Sequence, residues 1–93
     1  MTVKVHVFNS GTNLRRGGST RGPNNVIKKI NSGEYEALYQ CAGQDVTENG
    51  FSNHWWVKIV AGADQGWVSA VLISGGRNNE PIDRVEQRPT VFA

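Results

Sequence analysis

Val3, Val5 and Val7 alternate with Thr2, Lys4 and His6, a period of two that sends successive side chains to opposite faces of an extended chain. β-Branched residues on one face and polar ones on the other predict a half-buried first strand. "NSGTN" interrupts the pattern, and the stretch "RRGGSTRGPNN" separates it from "NVIKKI", where apolar spacing resumes with Val26 and Ile30 turned inward. A long loop and a short strand or turn are expected there. "NSG" at Asn31 to Gly33 signals a turn, and "EYEALYQCAG" follows with Tyr35, Ala37, Tyr39 and Cys41 at one parity. Glu, Ala and Leu would suit a helix, but the short length, the flanking glycines and two tyrosines favour a strand with those four residues on one face. "QDVTENGFSNH" carries Asn-Gly and reads as a hairpin connection. "WWVKIV" is a further strand, "AGADQG" a tight turn and "WVSAVLI" another strand.

The pattern stops at Ile73. "SGGRNNEPIDRVEQRPTVFA" holds two of the three prolines and charges without period, so a domain edge is placed near Ser74, with residues 75–93 as a tail or linker. Val91 and Phe92 at its end could pack back on the domain. Residues 1–74 then form a small all-β barrel or sandwich of about five short strands.

Composition agrees with that picture. Ninety-three residues suffice for one small domain, and 38% hydrophobic, 19% charged and 11 Gly describe a globular, turn-rich chain with a modest core. Cys41 is the single cysteine, so no internal disulfide forms, and no His/Cys spacing suits zinc; the core must hold by packing, and no metal or cofactor is implied. No apolar run approaches the roughly 20 residues of a membrane helix, and "MTVKVHVF" is no signal-peptide core. Membrane insertion is not expected. Two compartments stay open: the cytoplasm, or the extracellular space and cell wall if the chain is a domain of a longer secreted protein.

A net charge of +2 is too small to select partners by its overall field, so any preference for anions must come from clustering. Arg15, Arg16, Arg21, Lys28 and Lys29 form such a cluster. Beside aromatic residues it could grip phosphates and stack bases, yet no RNA-binding aromatic signature accompanies it, and nucleic acid has only weak support. "RGGSTRG" lacks the phosphate-loop lysine followed by Ser/Thr. Cys41, His6 and His54 have no nucleophile context, and no acidic pair is evident, so a non-catalytic role is expected.

The ordered signals "NLRRGGST", "NNVIKKINSGEYEALY", "WWVKIV" and "QGWVSAVLI" together resemble the bacterial SH3 family over Thr12 to Ile73. Asn13, Leu14 and Arg15 match its opening, Val26, Ile27 and Gly33 its middle, Trp56, Lys58 and Ile59 its fourth element, and Gly66, Trp67 and Val68 its closing strand. Gly18, where the family often has Pro, and the inserted "RGPNN" depart from the pattern. The resemblance implies a small SH3-like barrel with its long first loop beside the Trp strand. It also implies a binding module, without catalysis, for peptidoglycan or another cell-wall polymer.

Trp55 and Trp56 are neighbours on a strand and leave opposite faces. If Val57 and Ile59 mark the inner face, Trp55 lies with the core and Trp56 points outward with Lys58, where an exposed indole would offer a stacking platform. Packing under the long loop is the ordinary alternative. Trp67 joins the groove if it lies beside Trp56, and Asn53 and His54 precede the Trp pair as rim contacts. Of the two adjacent arginines one is structural, and Arg16 is the better ligand candidate. Asn13 is read as holding the loop through its own backbone. The expected ligand-binding set is therefore Arg16, Asn53, His54, Trp56 and Trp67, with a peptidoglycan peptide or glycan as ligand. A protein-interaction subunit or inhibitor, using the same groove or the tail, is the alternative, and single-stranded nucleic-acid binding is the third.

Overall fold

The computed structural model describes residues 3–17, 25–48, 50–74, 80–82 and 84–88. Along the chain run β1 (Val3–Val7), β2 (Thr12–Arg15), β3 (Val26–Ile30), β4 (Gly33–Glu48), β5 (Phe51–Ala61), β6 (Asp64–Ser69) and a one-turn 3-10 helix (Ala70–Leu72). The strands form one antiparallel sheet in the order β1-β4-β5-β6-β2-β3. The chain is all-β, as its alternation predicts, with six strands among the described residues where the sequence suggests about five. The extra one is β2, whose four residues are too few to show a period of their own.

After the 3-10 turn, at whose start the Ser69 hydroxyl accepts from Val71 N at 3.3 Å, the chain returns to the free edge of β1. Phe8 N donates to the Leu72 carbonyl at 3.3 Å, Ser74 N donates to the His6 carbonyl at 2.8 Å, and Val7 bridges to Ile73. This contact curls the sheet into a barrel-like body with a radius of gyration of 11.7 Å.

The enclosed face carries the main core: Val5, Val7, Leu14, Ile30, Ala37, Val57, Ile59, Ala61, Val68, Ala70 and Ile73. Gly66 lets β2 and β6 approach over it, because a Cβ there would stand 2.6 Å from Leu14 Cγ and 2.9 Å from the Arg15 carbonyl oxygen. Any side chain at that position would push the two strands apart.

The strand expected over "WVSAVLI" ends at Ser69, where the 3-10 turn Ala70–Leu72 takes over, and two further expectations change. Tyr35, Ala37, Tyr39 and Cys41 do not share a face, because β4 carries an extra residue at Leu38: Ala37 pairs with Ile59, yet Tyr39 pairs with Lys58. A bulge inverts the parity beyond it, so Tyr35 and Ala37 serve the main core while Tyr39 and Cys41 join a smaller cluster on the opposite side. The second change concerns the segment beyond Ser74, read as a tail. Ile82 and Val85 are buried in the main core. The fully buried Gln40, directly across from Val57 and so on the core face, holds them there. Its Nε2 donates to the carbonyls of Ile82 (2.7 Å) and Val85 (2.9 Å), and its Oε1 accepts from Ile82 N (2.8 Å). Gln40 N donates to the Glu86 carbonyl at 2.7 Å, and Arg88 N donates to the Gln40 carbonyl at 2.9 Å, making a parallel bridge. Between the anchors Arg84 takes a φ of 72°, a left-handed conformation costing about 1–2 kcal/mol for a residue with a Cβ. The buried bonds on both sides offset that strain. Val91 and Phe92 lie outside the described residues.

Candidate functional site

The outward face of the sheet is assembled by register. Arg15 of β2 lies opposite Trp67 of β6, Trp67 opposite Lys58 of β5, Ser69 opposite Trp56, and Trp56 opposite Cys41 of β4. Directly paired residues project to the same side, so Arg15, Trp67, Ser69, Trp56, Lys58, Cys41 and Tyr39 share it, and Asn13, two positions before Arg15, joins them.

This face is not open along its whole length. Trp56, Trp67 and Cys41 form a second buried cluster, with Tyr39 and Val46 packed against it. Tyr39 and Trp67 meet edge to face at 5.6 Å and 79°. Lys58 Nζ lies 5.7 Å from the Tyr39 centroid and 5.9 Å from that of Trp67, and the Arg88 guanidinium lies 4.1 Å from Tyr39. Cations placed over ring faces are attracted by the ring quadrupole, so they cap this aromatic pair. Cys41 is enclosed beneath: burial pushes its thiol pKa up, and the positive charge of Arg88 only partly opposes that. A raised thiol pKa disfavours the nucleophilic thiolate.

Between the β1–β2 turn and the β4–β5 hairpin the covering stops, leaving a pocket of about 290 Å³. Asn9, Ser10, Gly11, Thr12 and Asn13 form one wall, Val46 and Glu48 another, Ser69 and Leu72 an end, with Trp56 and Arg15 on the sheet side. Each wall is held by local chemistry. Gly11 has a φ of 73°, the left-handed geometry that a tight turn demands and glycine supplies at least cost, and the Thr12 hydroxyl donates to the Asn9 carbonyl at 2.8 Å. Across the pocket, Thr47 and Ser52 hydroxyls bond at 2.7 Å beside the Glu48–Phe51 pair.

Charge at the pocket is mixed. Arg15 and Glu48 both line it, and neither has an ion-pair partner among the described residues. Lys28, by contrast, is committed: its Nζ lies 3.0 Å from Asp64 Oδ2 and donates to the Ala61 carbonyl at 3.0 Å. Two large apolar side chains are exposed next to pocket residues in chain or register, Phe8 (42%) before Asn9 and Phe51 (54%) opposite Glu48. Among the described residues no three metal-ligating side chains come together.

The residues read from the sequence distribute unevenly over this site. Trp56 does lie on the face of Lys58, away from Trp55, but it does not stand in solvent. It is 1% exposed, and its indole N–H donates to the Gln44 carbonyl at 2.9 Å. It borders the pocket as a packed surface and is no free stacking platform. Trp67 is its neighbour in the cluster but does not line the pocket. Arg16 is exposed and outside the lining, its backbone N–H donating to the Asn25 carbonyl at 2.7 Å; the pocket arginine is Arg15. Asn53 is buried, its Nδ2 donating to the Glu80 carbonyl (2.9 Å) and its Oδ1 accepting from Trp55 N (2.8 Å). His54 tilts against Trp55 at 5.6 Å, with Nδ1 3.8 Å from Asp45 Oδ1, and is outside the lining. Sequence reasoning passed over Asn9, Ser10, Glu48 and Ser69. The turn signal "NSGTN" at Asn9 to Asn13 and its distance from the Trp strand hold no information about which loop meets which hairpin.

Comparison with protein-family models, with curated proteins and with solved structures finds no match.

Proposed function

We propose that this chain is a non-catalytic binding module that holds a peptide or glycan component of a cell-wall polymer in the pocket bordered by Arg15, Glu48 and Trp56. The observation that carries this reading is the pocket itself, polar-walled and charged, set on paired strands whose packing pre-organises it. The resemblance to bacterial SH3 domains supplies the polymer class. The Cys41 thiol, buried in the aromatic cluster and with its pKa raised, is a poor nucleophile at this face.

Co-sedimentation with purified peptidoglycan sacculi tests the proposal. The protein should pellet with sacculi, and a folded Arg15→Gln variant should stay largely in the supernatant. Equal pelleting of both, or no pelleting of either, overturns it. Trp56→Ala is unsuitable here, since it would disturb packing and pocket together.

One observation favours a second reading, a protein-interaction subunit: Phe8 and Phe51 expose apolar area beside the pocket elements, as interaction surfaces commonly do. A Phe8→Ser, Phe51→Ser double variant that still pellets with sacculi would separate an apolar protein contact from wall binding.

A further inference from the structure

The walls of the pocket carry opposite charges. Arg15 enters from β2, held by its pairing with Trp67 and by the close β2–β6 approach over Gly66, and Glu48 enters from the end of β4. Neither is neutralised by a neighbour among the described residues. Elsewhere on the surface this fold does pair such charges, as Lys28 with Asp64 and Arg88 with Glu86. The space between is about 290 Å³, at the lower end of small-molecule sites. Asn9, Asn13 and Ser10 add amide and hydroxyl groups to the same lining, able to donate or accept from a peptide unit. A purely anionic ligand would be opposed by Glu48, a purely cationic one by Arg15, and a neutral sugar would leave both charges unused.

From this, and resting on the binding role proposed above, we propose that the pocket recognises a zwitterionic amino-acid or dipeptide group bearing both a free carboxylate and a free ammonium. The Arg15 guanidinium receives the carboxylate as a fork of N–H donors, and the Glu48 carboxylate accepts from the ammonium. Asn9 and Asn13 serve the peptide unit between.

Titration of the full chain with unblocked dialanine, in its D,D and L,L forms, followed by backbone amide NMR, reads this directly. Binding of either form should perturb residues 9–15 and 46–48. N-acetyl-dialanine and dialanine amide should each bind about tenfold more weakly, the loss of one charge-assisted contact of about 1.5 kcal/mol. Arg15→Gln should make free and amidated dipeptides equivalent, and Glu48→Gln should do the same for free and acetylated ones. Doubly blocked dialanine binding as well as the free form overturns the proposal, as does absence of binding by every form. Because the blocked-ligand series uses the unaltered protein, it stands even if Arg15→Gln folds poorly. Sedimentation with sacculi that persists without dipeptide binding would leave the wall-binding role intact and remove only the zwitterion. Dipeptide binding without displacement of sacculi would keep the zwitterion and point to a soluble ligand.

Discussion

The two faces of this sheet are made from the same strands and are finished in opposite ways. On the enclosed side, aliphatic residues from β1, β2, β5 and β6 meet one another, and the gap at the β4 end is closed by Ile82 and Val85 under the Gln40 amide. On the outward side, Trp56, Trp67, Tyr39 and Cys41 cover part of the sheet, Lys58 and Arg88 cap the rings, and the rest is left as a polar pocket. A small chain with a single cysteine, in which no metal-ligating cluster forms among the described residues, places most of its apolar residues in one core. It can then leave a concave site on the other face only where large aromatic side chains support the floor.

Substitution of Trp56 should collapse the distinction most severely. Trp56→Ala empties an indole-sized space and frees the Gln44 carbonyl, so a loss of about 3–5 kcal/mol is expected, read by chemical denaturation, with ligand binding lost alongside. Gln40→Ala attacks the opposite face. It strands three backbone groups of Ile82 and Val85 and should cost about 3 kcal/mol, but below its lowered Tm the pocket should bind as before. A matched loss of affinity would show that the two faces are not independent. Gly66→Ala acts between them, since the added Cβ meets Leu14 and the Arg15 carbonyl. A destabilisation of about 1–3 kcal/mol is expected from overpacking, with a shift of Arg15 visible in the amide spectrum of β2.

The mildest effect is one of pH. Burial raises the folded-state pKa of Cys41 above its ordinary value of 9.0, so the thiol is neutral in both states at neutral pH and its contribution is fully present there. As pH rises past 9.0, the unfolded chain ionises first and stability falls until the folded thiol ionises as well. Thermal unfolding scanned from pH 8 to 10.5 should show that decline, and Cys41→Ala should flatten it. In the native protein the thiol should also resist a disulfide reagent at neutral pH.

Much of the strand pattern is legible in the chain. The valines of β1 alternate as their register with β4 requires, and Trp55 and Trp56 do part to opposite faces, with Val57 and Ile59 on the core side. Each of these follows from a period of two, which needs only neighbouring residues. The sequence leaves open whether Trp56 stands in solvent or is packed, because parity tells which face a residue takes and not whether that face is covered. Leu38 looks like any apolar strand residue, yet it is the bulge that divides Tyr35 from Tyr39. Gln40 looks like a surface residue, and its burial depends on residues 42 and 45 positions further along the chain.

By itself, then, the sequence determined an all-β chain, the inner residues of β1 and β5 and the opposed directions of its adjacent tryptophans, since all of these arise from local steric preference and alternation. Only the tertiary structure decided that Ile82 and Val85, beyond Ser74, join the core, that Arg15 and not Arg16 faces the pocket, and that Glu48 stands with it. Those outcomes depend on which strands pair and where a bulge shifts their register, and pairing between distant segments is set by the packing of the whole sheet.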